Sequence, residues 1–326
     1  LMPLAIEQLD LSSFDLVISS AEAVAKGGRV GPDQTHVSYV HSPMRYAWDL
    51  QHQYLREAKL TRGPRSWATR ALLHYLRGWD THSTNGVDRL IANSEFVARR
   101  IQKAYRRDAT VIAPPVDVNR FDVCAQKDDF YLAASRMVQY KRMSLIVEAF
   151  TATPGRRLVV VGDGPEMASI RAKAGPNVQI LGYQPFEVLR DLLQRARAFV
   201  FAAEEDFGIV SVEAQACGTP VIAYGKGGAL ETVIPLGEPC PTGVYFERQT
   251  VASLLEALER FERQHTLITA AACRANAERF SAATFRHKFM LEVTRTIAAA
   301  GTRPRVEVTP VDAWPGDSAR RGTWGR

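Results

Sequence analysis

Apolar residues recur along this chain in two alternating registers. Short β-branched runs bounded by turn-forming residues are separated by stretches in which apolar positions return every three or four residues. "FDLVISS", "HVSYVHSP", "RLIANS" and "TVIAPPV" read as four buried strands in the first third of the chain. A second series opens with "FYLAAS" and continues through "RLVVVGDG", "NVQILGY", "AFVFAA", "TPVIAY" and "GVYF". The helical period runs between them, in "YKRMSLIVEAF", "PEMASIRAKA", "PFEVLRDLLQRA" and "GIVSVEAQACG". Strands that are apolar throughout are buried on both faces, so the alternation predicts parallel sheets covered by helices: an α/β chain of two Rossmann-like domains.

The boundary is expected near "APPVDVNRFDVCAQKDD", where proline and charge break the apolar pattern. This gives a first domain over 1–120 and a second over 121–282. Helical pattern without strands fills the region after "GVYF", and the Pro-, Gly- and charge-rich stretch 301–326 is expected to be a disordered tail. With 326 residues, 46% of them apolar, the chain is long enough for two cores. The four cysteines form no C-x-x-C pair, which points away from a zinc site or a disulfide framework and toward a reducing compartment. The opening "LMPLAIEQLDL" has no signal-peptide pattern, and no stretch approaches the roughly 18 apolar residues of a spanning helix. A cytoplasmic location is expected.

The formal charge of +6 is concentrated. Between Arg45 and Arg77 seven basic residues face two acidic ones, Asp49 and Glu57, among Trp48, Tyr54, Trp67, Tyr75 and Trp79. Segment 45–79 therefore has two readings: contact with an anionic membrane surface, or a solvated helix face whose aromatics enter the core. No nucleic-acid-binding motif accompanies it.

In a parallel sheet, ligands bind at the carboxyl ends of the strands, where helix N-termini present N–H groups. "ARAFVFAA" followed by "EEDFGIVSVEAQACG" is such a strand, loop and helix, with Glu205 in the loop and Glu213 expected about two turns into the helix. Spacing alone leaves open ligand-hydroxyl acceptors and an ordinary surface carboxylate with a helix-dipole partner. "VVVGDGPEM" lacks the third glycine of a dinucleotide fingerprint and reads as a structural turn. "GKGGAL" is either a flexible loop or a source of N–H groups for a phosphate.

Together with "CGTPVIAYGKGGALETV", this stretch resembles the donor-binding signature of retaining GT-B glycosyltransferases of family 4. The matching positions are Glu205, Glu213, Gly218, Pro220, Val221, Gly227, Gly228 and Glu231. "ASRMVQYKR", "VVVGDGPEM" and "NVQILGY" extend the resemblance over roughly 15–298. It implies that Glu205 meets the transferred sugar, that Glu213 binds the ribose and that Arg136 and Lys141 hold the diphosphate. Cations there oppose the charge that gathers on a departing diphosphate. It places Gly182, Tyr183, Phe207, Gly208, Ile209, Val210, Gly227 and Gly228 along the donor, and His41, after a first-domain strand, near sugar and acceptor. "HSPMRYAWD" looks most like bacterial mannosyltransferases of surface-polysaccharide assembly.

The implied reaction is transfer of a hexose, mannose in that subgroup, from a nucleotide diphosphate sugar to a glycan or lipid-linked glycan at the inner membrane face. It needs no metal and no cofactor beyond the donor, and front-face substitution is the family's usual mechanism. An inactive donor-binding fragment and a nucleotide-sugar epimerase remain as alternatives. Residues 283–300 are expected to cross back to the first domain. Four strands there, against the six or seven of a whole GT-B half, read as an incomplete N-terminal domain lacking roughly 70–100 residues.

Overall fold

The computed structural model describes residues 2–301; the expected tail 301–326 lies outside them apart from Gly301. The first part runs α1 (Met2–Ile6), β1 (Leu16–Ala21), β2 (Thr35–Val40), α2 (Gln51–Glu57), α3 (Pro64–His82), β3 (Arg89–Ala92), α4 (Glu95–Tyr105) and β4 (Thr110–Val111). The second runs β5 (Tyr131–Ala134), α5 (Met143–Thr151), β6 (Leu158–Val161), α6 (Met167–Lys173), β7 (Val178–Gly182), α7 (Phe186–Arg195), β8 (Ala198–Phe201), α8 (Ile209–Ala216), β9 (Val221–Tyr224), α9 (Ala229–Thr232) and β10 (Gly243–Phe246). Helices α10 (Val251–Gln264), α11 (Ala270–Glu278) and α12 (Ala282–Ala300) close the described chain.

All strand pairs are parallel. The first sheet has the order β1-β2-β3-β4 and the second β10-β9-β8-β5-β6-β7. The order of the second sheet reverses between β5 and β8, which opens a crevice at their carboxyl ends. Alternation along β5 shows why these runs are apolar throughout. Leu132 and Ala134 enter the core on one face, while Tyr131 and Ala133 enter the core on the other.

Helix α4 covers one face of the first sheet. The Ser94 hydroxyl accepts from Val97 N–H at 3.1 Å to start it, Val97, Ile101 and Tyr105 form its buried stripe, and Arg106 in a left-handed conformation ends it. The other face is covered by α12, whose Val293, Phe285 and Phe289 pack with Val37, Tyr39 and Ile91. Thr110 and Arg89 of the sheet bind Glu292 of the same helix. The chain thus crosses between the sheets twice, and the two crossings pair. Val116 N–H donates to the Phe280 carbonyl at 2.9 Å and Ala282 N–H to the Val116 carbonyl at 3.1 Å.

Beneath the first sheet's carboxyl edge lies a buried ion pair. Lys26, 1% exposed, binds Asp80, which is fully buried and also accepts from Trp48 Nε1 at 2.8 Å and the Tyr105 hydroxyl at 2.9 Å. Breaking such a pair leaves an uncompensated buried charge, so this network fixes the β1 loop, α3, α4 and the "MRYAWD" segment relative to one another.

Candidate functional site

The carboxyl ends of β5 and β8 carry the loops expected to hold the chemistry. After β5 the chain passes through Ser135 and Arg136 into a tight turn, Gln139–Lys141, before α5. Arg136 is exposed, whereas Lys141 is largely buried and makes an ion pair with Glu205 from the loop after β8. Burial pushes the Lys141 ammonium down to about 8; the nearby Arg45 charge adds to the fall and Asp206 opposes it.

Glycines let neighbouring loops support these two. Gly162 (φ +132°) and Gly164 (φ +154°) follow β6, and a Cβ at Gly162 would overlap the Ser135 carbonyl. At Gly164 it would stand 2.6 Å from the Met137 oxygen, so only glycine lets the two loops meet. Gly227 and Gly228 press in the same way on the backbone of Glu205 and Phe207. Gly228 N–H donates to the Glu205 carbonyl at 2.8 Å. Of the N–H groups in "GKGGAL", that of Gly228 is therefore engaged within the protein, and the loop buttresses Glu205.

Helix α8 starts at Ile209, with Gly208 at its N-cap in a left-handed conformation and no side chain accepting from its first turn. Glu213 is therefore about one turn into the helix rather than two. Burial raises its carboxyl pKa, and the Arg120 charge opposes the rise. Arg120 itself lies over the Phe186 ring at 3.8 Å. Phe207 is a core residue, 4% exposed and packed edge-on against Phe280, so its ring serves packing before ligand contact. Tyr183 is exposed beyond Gly182 (φ +75°), at the carboxyl end of β7.

The two domains enclose a cleft of about 910 Å³. Of the expected residues it brings together His41, Lys141, Glu205, Phe207, Gly208, Ile209 and Val210; Arg136, Gly182, Tyr183, Glu213, Gly227 and Gly228 lie outside its lining. His41 stands just past β2, its Nε2 2.8 Å from the Ser20 hydroxyl and its ring edge-on to Tyr39. Burial lowers its pKa, while Glu22 and Asp206 pull the other way.

Sequence reasoning missed Arg100, which grips Asp206 of the cleft lining, and gave Glu231, a matching motif position, no structural part. Arg100 on α4 donates to Ser42 Oγ and Asp206 Oδ1, both at 2.8 Å, and to Asp49 Oδ1 at 2.6 Å. Arg45 reaches the same Asp206 oxygen only at 3.9 Å. Glu231 crosses to the first domain and accepts from the N–H groups of Glu95 and Phe96 at 2.8 and 3.0 Å, capping α4. The Arg100–Asp206 contact joins residues 106 positions apart, so no local pattern signals it.

Comparison with known proteins agrees with this architecture. Residues 118–280, half of the chain, match the model of glycosyl transferases group 1, and residues 2–120 match that of glycosyltransferase family 4. A GDP-mannose-dependent monoacylated alpha-(1-6)-phosphatidylinositol monomannoside mannosyltransferase of Corynebacterium glutamicum is 32% identical over 203 residues, 53% of this chain and 52% of that protein. A D-inositol 3-phosphate glycosyltransferase of Segniliparus rotundus is 32% identical over 169 residues, 43% of this chain and 38% of its own. The chain spans about half the length, or less, of these curated relatives. Among solved structures, Anabaena HepE in complex with UDP superposes with a TM-score of 0.67 at 19% identity, covering 87% of this chain and 79% of that one. Sucrose-phosphate synthase from Thermosynechococcus elongatus gives 0.70 at 19% identity, covering 88% and 75%. At such identity these two show the fold, which is GT-B. With the reversal point between β5 and β8, the two parallel sheets and the match over half its length, the chain belongs to the glycosyl transferases group 1 family.

Proposed function

We propose that this chain forms the donor cleft of a retaining glycosyltransferase. It moves a hexose, mannose in our reading, from a nucleotide diphosphate sugar to a glycan or lipid-linked glycan. The observation that carries this is the ion pair of Lys141 and Glu205 across the reversal point of the second sheet, with Glu213 one turn along α8. A bound donor replaces that pair with better partners: its diphosphate takes Lys141, with Arg136 at the rim, and a sugar hydroxyl donates to Glu205. Glu213 accepts from the ribose hydroxyls, while Tyr183 and Gly182 flank the nucleoside.

Because charge gathers on the leaving diphosphate, Lys141 stabilises the transition state more than the ground state. In front-face substitution the departing phosphate oxygen takes the acceptor's proton, which calls for no enzymic nucleophile and no metal. His41, held by Ser20 beside the cleft, orients the sugar and the incoming hydroxyl. Mannose as the sugar draws support from the Corynebacterium relative, whose name gives GDP-mannose as its donor.

Titration calorimetry with GDP-mannose, UDP-glucose, UDP-N-acetylglucosamine and dTDP-rhamnose tests the reading. Selective binding is expected for one of them, and Glu213→Ala weakens it roughly tenfold or more through the lost charge-assisted hydrogen bonds. A folded protein that binds none of the four, or binds equally well without Glu213, overturns the assignment.

A further inference from the structure

We infer that Arg45, a first-domain residue with no role assigned so far, is a diphosphate-binding cation that the closed cleft places beside Lys141. The inference rests on the nucleotide-sugar reading of the cleft. Arg45 lines the cavity together with Lys141, Glu205 and Asp206. Its side chain is mostly buried, and its Nε has no hydrogen-bond partner among the described residues. A buried guanidinium nitrogen left unpaired is costly unless a further group completes it.

The carboxylate nearest to it is otherwise engaged. Asp206 Oδ1 accepts from Arg100 at 2.8 Å, while Arg45 stands 3.9 Å from the same oxygen. Arg100 is anchored on the first domain by Ser42 and Asp49, so Asp206 is tied to α4 and is only a loose neighbour for Arg45. Arg45 is also close enough to Lys141 for its charge to depress the ammonium. Lys141 is paired with Glu205 and Arg45 only loosely with Asp206, so a polyanion that takes both cations, while Glu205 turns to a sugar hydroxyl, also relieves their mutual repulsion. A guanidinium suits this position because its planar fork binds two phosphate oxygens at once. Lys141 comes from the second domain and Arg45 from the first, so the diphosphate is gripped from both sides only when the domains are closed.

Calorimetry on the full chain with UDP, GDP, uridine, guanosine and inorganic pyrophosphate decides the matter. The proteins compared are the wild type, Arg45→Met, Arg45→Lys and Glu213→Ala. Arg45→Met is expected to weaken the diphosphates and pyrophosphate by about ten- to a hundredfold and to leave the nucleosides unchanged. Its unfolding midpoint stays level or rises, since an unpaired buried nitrogen is removed. Arg45→Lys restores part of the affinity. Equal diphosphate affinity in wild type and Arg45→Met, or a loss shared equally by nucleosides, overturns the role. Binding that needs Glu213 but ignores Arg45 keeps the nucleotide site and rejects this inference. Pyrophosphate binding that needs Arg45, with nucleotides indifferent to Glu213, keeps the anion site and rejects the nucleotide reading. A folded chain that binds none of these ligands rejects both.

Discussion

Lys141 is where burial and chemistry act most directly on one side chain. An unfolded-chain lysine holds its proton to about pH 10.4, whereas this one releases it near 8 because burial and the Arg45 charge disfavour the ammonium. Between those values the unfolded state binds more protons than the folded one, so this group makes stability rise with pH across that window. Anion binding runs the opposite way, since the charge that attracts a diphosphate is complete below about 8 and fades above it. Once the terminal phosphate is ionised, above about pH 7, diphosphate affinity is therefore expected to be level up to about pH 8 and to fall by up to about tenfold per pH unit on the alkaline side. Lys141→Arg, charged throughout this range, should flatten the profile. Calorimetry at a series of pH values checks both, and an affinity that does not decline in the wild type removes Lys141 from the anion site. Spacing and surroundings singled out Glu205 and Glu213 together, and of the two the structure brings Glu205 to the cleft lining. Arg45 was not singled out, although it stands inside the quoted "HSPMRYAWD", because nothing local distinguishes a cleft arginine from a surface one.

Among the elements, strands were the easiest to read. The runs of β2, β5, β6, β8 and β9 are buried at every position, β1 and β7 at the sheet edges keep exposed ones, and β4 shrinks to Thr110–Val111, where Pro114 and Pro115 soon end any ladder. The turn carrying Lys141 was harder. It ends at Arg142 in a left-handed conformation (φ +56°), an arrangement that side-chain polarity does not encode. Helix α3 divides the basic, aromatic segment into a packed and an exposed part. Trp48, Leu73 and Trp79 belong to a core cluster, and Arg77 is tied to the Ala47 carbonyl at 2.9 Å. Trp67, 74% exposed, stands outside with Tyr75, on the same helix as Arg65 and Arg70, while Leu72 lines the cleft. No helix among the described residues is long and apolar enough to cross a membrane, and contact of the exposed part with an anionic surface is a proposal that vesicle binding tests. At about 1 kcal/mol for each basic residue near such a surface, Arg65→Glu with Arg70→Glu should weaken binding to phosphatidylserine-containing vesicles roughly thirtyfold or more. Cosedimentation unaffected by the double reversal would leave α3 with a merely solvated face.

At the scale of the whole molecule, the arrangement depends on contacts that sequence cannot display, because the partners are distant in the chain. Paired crossings at Val116 and Ala282 join the two sheets at one place, which leaves the far side of the cleft to be held by side chains. Two groups do this. Arg100 clasps Asp206, beside Glu205, and Glu231 caps the first N–H groups of α4 from the opposite domain. The "GGALE" loop therefore does two jobs: its glycines press on the Glu205 loop, and its carboxylate reaches the other domain. One rigid loop thus couples domain closure to the position of Glu205. Ser94 already caps α4 from within its own domain, so losing Glu231 should leave that helix folded and act on closure instead. A cap of two charge-assisted bonds at a helix N-terminus is worth about 1–2 kcal/mol, and Glu231→Ala should reduce the closed-to-open ratio by roughly tenfold. Small-angle scattering should report a larger radius of gyration, and hydrogen exchange should quicken at the Glu95 and Phe96 amides while the interior amides of α4 stay protected. If those two amides exchange at the wild-type rate and the radius is unchanged, Glu231 is not the latch, and closure rests on the contacts to Asp206 instead.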